Sequence, residues 1–358
     1  MVKIKFCFLI LLLSLEAFGT TRPDKEFKIF QFPKDQIPRI DGEFTDWEMV
    51  PDSYAIGLNE LNDTEGGFGT NLDPEDFDIK VKVAWVNGLN RLYFYIEAQD
   101  DYWSFSHHAL SQDIFELVVD GDMSGGTFIN QHNGNKNKLT KGELHFKGHG
   151  AHAQNYHIFT PVKDKEWVMI WGNTHWIKEF PHYNAAYDYS FEHGESGKLK
   201  MEFWITPFDH ASPLGFEQSV VSDLKENDLI GLSWCMIDYD ENKKWDTFMN
   251  LSHDTKMIYD ASYLCAFRLM PLDKKYQKPI QAAWSFVEID RDSRWIQFKD
   301  ESYGKIDKWI WDFGDGTRSE EQHPRHIYDK AGEWTVILTV EGADGKSVLS
   351  KVWDVVTK

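Results

Sequence analysis

Two stretches alternate apolar and polar residues with a period of two, as a strand with one buried face does. They are Ile79-Lys80-Val81-Lys82-Val83-Ala84-Trp85 and Arg91-Leu92-Tyr93-Phe94-Tyr95-Ile96-Glu97. Asn87-Gly88 lies between them and signals a turn, so the two are predicted to form a hairpin. Further strands are predicted at 114–119, 143–147, 155–159, 199–205, 229–237 and 264–269. No helical period of useful length interrupts them. The pattern predicts an all-β chain, with an antiparallel jelly-roll-like β-sandwich over residues 39–270. The connections at 120–142 and 172–198 are long for a compact domain, and long loops more often serve function than not.

The flanks read differently. Residues 1–19 place Lys3 and Lys5 before an apolar run that ends in Ala17-Phe18-Gly19. This is the pattern of a signal peptide cleaved near Gly19, and the run is too short to span a bilayer. A secreted or periplasmic protein without a membrane span is therefore expected. Residues 20–38, punctuated by Pro23, Pro33 and Pro38, read as a polar leader. Residues 271–279 are lysine-rich and bounded by prolines, hence a linker, and 280–358 are long enough for one small further domain. With 38 Lys+Arg against 58 Asp+Glu, the net charge of −20 argues against nucleic acid and anionic membranes as partners. Cys235 and Cys265 are the cysteines left after the signal segment; they either pair as a disulfide or stay as buried free thiols.

Candidate chemistry concentrates between Gly142 and Glu195, which hold seven of the 14 histidines: His145, His149, His152, His157, His175, His182 and His193. Trp167, Trp171, Trp176, Tyr156, Tyr183, Tyr187 and Tyr189 are interleaved with them. Imidazole exchanges protons near neutral pH, and aromatic rings with polar tips hold flat, half-apolar ligands.

Two resemblances stand on short motifs. Ile40-Asp41-Gly42-Glu43-Phe44-Thr45-Asp46-Trp47, Gln112-Asp113-Ile114-Phe115-Glu116 and Asn227-Asp228-Leu229-Ile230-Gly231 resemble the family 9 carbohydrate-binding modules and their DOMON-like relatives. That resemblance implies a β-sandwich that often binds sugars with calcium nearby. The histidine-rich segment departs from it. Trp311-Asp312-Phe313-Gly314-Asp315-Gly316, His326-Ile327-Tyr328 and Gly332-Glu333-Trp334-Thr335-Val336 resemble a PKD domain, which implies a small immunoglobulin-like β-sandwich acting as spacer or binding module. Gly314 and Gly316 suit the turn, and Asp312 and Asp315 can bond its backbone.

Strand parity assigns faces. With Leu92, Phe94 and Phe115 inward, Tyr93, Tyr95, Glu116, His145, His157 and Arg268 are predicted to gather on one outward face, beside further imidazoles from Gly148-His149-Gly150-Ala151-His152. Asp120-Gly121-Asp122 and Asp238-Tyr239-Asp240 follow strands and suit calcium, a hard cation. The spacing of His145, His149 and His152 also permits zinc.

The leading expectation is an exported enzyme that cleaves acidic, uronate-containing oligo- or polysaccharide by β-elimination, as lyase or dehydratase. His145 or His157 is then the base and His175 or Tyr156 the acid. Asn155, Arg268 or a calcium ion holds the substrate carboxylate. Tyr93, Tyr95, Trp171 and Trp176 would stack against sugar rings. The alternative is a non-catalytic carbohydrate-binding protein with a PKD spacer.

Overall fold

The computed structural model describes residues 20–106, 110–128, 140, 149–162, 166–240, 246–277, 279–290 and 292–357, the side chains of 352–356 excepted. The signal segment, His145 and the strand predicted at 143–147 lie outside the described residues. In chain order the strands of the N-terminal unit are β1 (Glu26–Gln31), β2 (Ile56–Gly57), β3 (Asn62–Asp63), β4 (Phe77–Trp85), β5 (Leu92–Asp100), β6 (Ile114–Asp120), β7 (Gln154–Phe159) and β8 (Val168–Met169). They continue with β9 (Tyr183–Asp188), β10 (Gly197–Ile205), β11 (Phe208–His210), β12 (Val220–Val221), β13 (Leu229–Asp238), β14 (Thr247–Asn250) and β15 (Cys265–Leu269).

These strands make two sheets of a sandwich. The first runs β8-β7-β6-β13-β15-β1, and the second β1-β4-β5-β10-β9. β1 belongs to both: Glu26 to Ile29 pair with β15, and Phe30 and Gln31 pair with β4. Phe27 and Ile29 therefore enter the core between the sheets, whereas Phe30 joins a cluster outside the second sheet. The stretch expected to be a polar leader thus contains the strand that joins the two layers. β1 also runs parallel to both of its partners, an exception to the antiparallel pattern.

Large parts of the outward faces are covered by a further layer. Phe32, Trp47 and Val50 cover Tyr93, Tyr95 and Trp204 on the second sheet. On the first, Phe128, Met257 and Ala261 cover Val118. Every residue of β6 and of β7 is consequently buried, although each strand has two faces. A charged group inside such a second layer must find its partners within the protein.

Glu202 shows how. Its carboxylate accepts hydrogen bonds from the backbone N–H groups of Asp41 (3.0 Å) and Gly42 (2.9 Å) and from Trp47 Nε1 (2.9 Å). The Ile40-to-Trp47 motif is thereby tied to β10, with Gly42 at φ +84° making the turn.

The C-terminal unit has β16 (Trp284–Asp290), β17 (Trp295–Asp300), β18 (Lys308–Asp312), β19 (Arg318–Ser319), β20 (Arg325–Ile327), β21 (Gly332–Gly342) and β22 (Gly345–Thr357). Sheets β16-β17-β20 and β19-β18-β21-β22 enclose Trp284, Phe298, Trp311, Val336, Leu338 and Val340. Asp312 accepts from the N–H of Gly314 and Asp315 from that of Thr317, as the turn chemistry implied. Two β-sandwich units in series are what the strand pattern predicted.

Glu202→Ala strands three buried or half-buried donors. It is expected to lower the unfolding free energy by about 3 kcal/mol, read from urea denaturation.

Candidate functional site

The outer face of the first sheet carries a buried polar set built by cross-strand register. Glu116 on β6 sits opposite His157 on β7 and Cys235 on β13. Asn155 lies two residues along β7 and shares their face. Glu116 is 4% exposed, His157 6% and Asn155 1%. Asn155 Nδ2 donates to Glu116 Oε1 at 2.8 Å, and His157 Nε2 lies 3.3 Å from the same oxygen. Cys235 Sγ is 3.7 Å from Glu116 Oε2.

Burial pushes the Glu116 carboxyl up. The His157 charge and hydrogen bond, the Asn155 amide and the charge on His149 together outweigh burial and hold it below its ordinary value. His157 Nδ1 lies 3.2 Å from the carbonyl oxygen of Met169 on β8. Both ring nitrogens therefore face acceptors, and neither is free to take a proton from a substrate.

Trp171 closes this set from above. Its ring is half-buried and stacks on His157 at 5.9 Å and 29°. The His149 ring lies 6.2 Å from Trp171 and 5.5 Å from Phe128. Of the histidine-rich stretch, His149 and His157 meet here through the indole.

The other histidines disperse. His152 turns to the carbonyl of Gly125 and to Ser124. His182 packs against Trp176, Phe208 and Phe216, where burial, with the Arg91 charge adding to it, lowers its affinity for a proton. His193 accepts from the N–H of Phe105, and His175 is exposed on a short 3-10 turn.

Several expected site residues lie apart from this set. Tyr156 points from β7 into the core between the sheets, opposite to His157, and burial raises its hydroxyl well above the ordinary value. Tyr93 and Tyr95 belong to the second sheet's outer layer, where Tyr95 stacks on Trp47 at 5.6 Å. The single face drawn from parity is thus two faces on two sheets, because parity does not say which sheet a strand joins. Trp176 donates to the Ser212 carbonyl within its own aromatic cluster. Arg268 Nε and Nη2 grip Glu26 at 2.6 Å each, while Nη1 donates to Asn227 O. Its charge is already answered.

Of the two alternatives for the cysteines, the structure has free thiols and not a disulfide. Cys265 lies opposite Leu232 and faces the core with it, whereas Cys235, at an odd offset along β13, faces Glu116 on the other side. Both thiols are free and buried.

Two neighbouring acid groupings were legible only in part. Asp238 stands with Asp100 and Asp113, all buried, and Asp240 with Asp76 and Asp101. Within each grouping the carboxylate oxygens lie within 4.8 Å of one another. Burial, with neighbouring aspartates adding to it, pushes Asp100 up to about 7 and Asp238 up to about 9. Asp100 Oδ2 and Asp238 Oδ1 are buried without hydrogen-bond partners. The missed ligand candidates close β5 and precede β6, so strand ends were the available signal. Asp120 and Asp122 are elsewhere, and burial, with the Asp122 carboxyl, raises Asp120 to about 7.

With this geometry in place, comparison with known proteins adds one assignment. Residues 278–356 match the PKD domain family model. The match takes in β16 to β22 of the C-terminal sandwich, all but the last residue of β22. The PKD1 domain of the Vibrio cholerae metalloprotease PrtV is 24% identical, with a TM-score of 0.20, covering 22% of this chain and 96% of that one. Collagenase ColA of Bacillus cereus is 49% identical over 43 residues, 12% of this chain. The match spans 4% of the collagenase's length. A family 9 carbohydrate-binding module of Caldicellulosiruptor kristjanssonii, solved with cellotriose, has a TM-score of 0.44 at 12% identity. It covers 71% of this chain and 98% of the module. Among the described residues no helix is long and apolar enough to cross a membrane.

His157 is held in a buried pairing with Glu116. His157→Ala leaves Glu116 charged without its main partner, so a loss of about 3–5 kcal/mol is expected in denaturant titration. In a double-mutant cycle with Glu116→Gln, the double variant should lose less than the sum of the singles.

Proposed function

We propose that the chain is an exported carbohydrate-binding protein, with the sandwich as the reader and the PKD unit as a spacer. The observation that carries this reading is Trp171. Its indole stacks on His157, whose neighbours Glu116 and Asn155 are hydrogen-bonded to each other. A partly exposed aromatic ring beside fixed polar groups suits a pyranose, since the sugar's apolar face stacks while its rim hydroxyls hydrogen-bond. Export rests on residues 1–19.

Elimination by a uronate-specific enzyme is the second reading, and one observation favours it: an imidazole lies beside a carboxylate under an aromatic ring. In that reading His157 must leave Met169 or Glu116 to act as base, and a cation must answer the substrate carboxylate in place of Arg268.

We also propose that Asp100, Asp113 and Asp238 hold a calcium-type cation. Hard carboxylate oxygens in a buried group, two of them without partners, fit such an ion. When bound, it neutralises charge that burial disfavours and ties the end of β5 to β6 and β13.

Trp171→Ala is expected to weaken glycan binding about tenfold or more in isothermal calorimetry while leaving the thermal midpoint nearly unchanged. Incubation with uronate oligosaccharides separates the two readings. Growth of absorbance near ~230 nm, from an unsaturated product, would establish elimination, and a flat trace with retained binding supports the reader.

The acid group gives a pH signature with a definite sign. Carboxyls whose folded values are raised favour the folded state while protonated. In the presence of a chelator, stability should therefore fall as pH rises from the ordinary carboxylate range through about 7 and about 9. Added calcium should abolish that fall in a thermal melt; an unchanged fall counts against the ion.

A further inference from the structure

Strands β5, β10 and β9 end together on the second sheet. Leu92, Ile205 and Tyr183 are paired across them, so Arg91, Thr206 and His182 lie one step beyond. The Thr206 N–H donates to the His182 carbonyl at 2.9 Å and holds that row together. Arg91 lies over Trp204, its guanidinium carbon 3.9 Å from the ring centre, and Trp204 is 6% exposed. A guanidinium fixed this way by its cation–π contact keeps its N–H fork for an acceptor. Among the described residues no carboxylate pairs with Arg91. The same holds for Lys34, whose ammonium reaches the turn of the β4–β5 hairpin, 3.5 Å from where a Cβ on Gly88 would stand. In a chain of net charge −20, two cations without acid partners at one hairpin end make a local positive field.

An aromatic ledge adjoins the arginine. His182 is 9% exposed, packs at a tilt on Phe216 at 4.9 Å and meets the edge of Trp176 at 5.1 Å. Phe216 is 48% exposed, so part of its ring faces solvent. Burial, with the Arg91 charge adding to it, lowers the proton affinity of His182, so imidazole and guanidinium are within electrostatic reach of each other. Arginine and ledge are therefore neighbours. Neither takes part in the stack of Trp171 on His157.

The two halves choose the ligand class together. A guanidinium fork matches a group with two oxygens sharing a negative charge. The ledge suits the apolar face of a sugar ring. A neutral sugar would leave Arg91 unanswered, an amino sugar would be repelled, and an inorganic anion would leave the ledge unused. A carboxylate or a sulfate ester on a pyranose answers both.

We propose that Arg91 and the His182–Phe216 ledge bind a sugar bearing an oxyanion, a uronate or a sulfate ester. The inference rests on the carbohydrate-binding reading and adds a subsite separate from Trp171. The test is calorimetry on the full chain with three probes: a uronate tetramer, a sulfated neutral tetramer and that neutral tetramer without sulfate. At least one anionic probe should bind about tenfold tighter than the neutral one, and salt should weaken it. The tighter of the two identifies the source of the oxyanion. Arg91→Gln should remove that tenfold advantage, Arg91→Lys should restore only part of it, and Phe216→Ala should weaken the anionic probe several-fold. A readout on the unaltered chain covers the case in which Arg91→Gln fails to fold. The NMR titration midpoint of His182 should rise when the anionic probe is bound, because the ligand answers the Arg91 charge. Equal binding of all three probes, wild-type binding by Arg91→Gln, or an unmoved His182 overturns the proposal. If Trp171→Ala abolishes anionic binding and Arg91→Gln does not, the subsite falls and the reader stands. If no probe binds, the reader falls with it.

Discussion

A carboxylate buried against the outside of a sheet has to be answered by the protein itself, and this constraint organises the sandwich. Glu116 is answered by His157 and Asn155, and Glu202 by Trp47 and two backbone amides. Each sheet has acquired a second layer, and the layer is anchored through these acids. Removing water strengthens each contact and makes the loss of one partner expensive. The same packing that sets Trp171 on His157 leaves both nitrogens of that ring facing acceptors.

The aspartates follow the opposite logic. Asp100, Asp113 and Asp238 are as buried as Glu116 but meet one another instead of a cation from the chain. In the folded protein they must either hold protons or share an ion. Asp209 and Asp223, farther along the domain, are instead eased by Ser222 and Lys225.

Much of the fold was legible. Alternation over 79–85 and 91–97 gave the β4–β5 hairpin, and Gly314, Gly316, Asp312 and Asp315 gave the turn that defines the PKD unit. The rest was hidden for physical reasons. β1 is short and set among prolines, and it changes faces halfway because it changes sheets, so no single parity runs through it. Parity paired Tyr93 and Tyr95 with His157 because alternation within a strand carries no information about the neighbouring strand. The clustering of histidines in sequence likewise did not survive folding, since loops took His152, His182 and His193 to separate places. Parity did place Glu116 and Asn155 on one face with His157; Asp100 and Asp113 were not flagged, their signal being only a position at strand ends.

The seam made by β1 has a kinetic side. Residues 26–29 complete the first sheet only by meeting residues 266–269, almost the full length of the sandwich later. Pairings so distant in sequence form slowly, because a long loop must close before any contact rewards it. A nascent chain cannot finish this domain until its last strand has been made. Such a chain stays threadable while it is being synthesised, which is the condition that passage through a narrow translocation channel imposes.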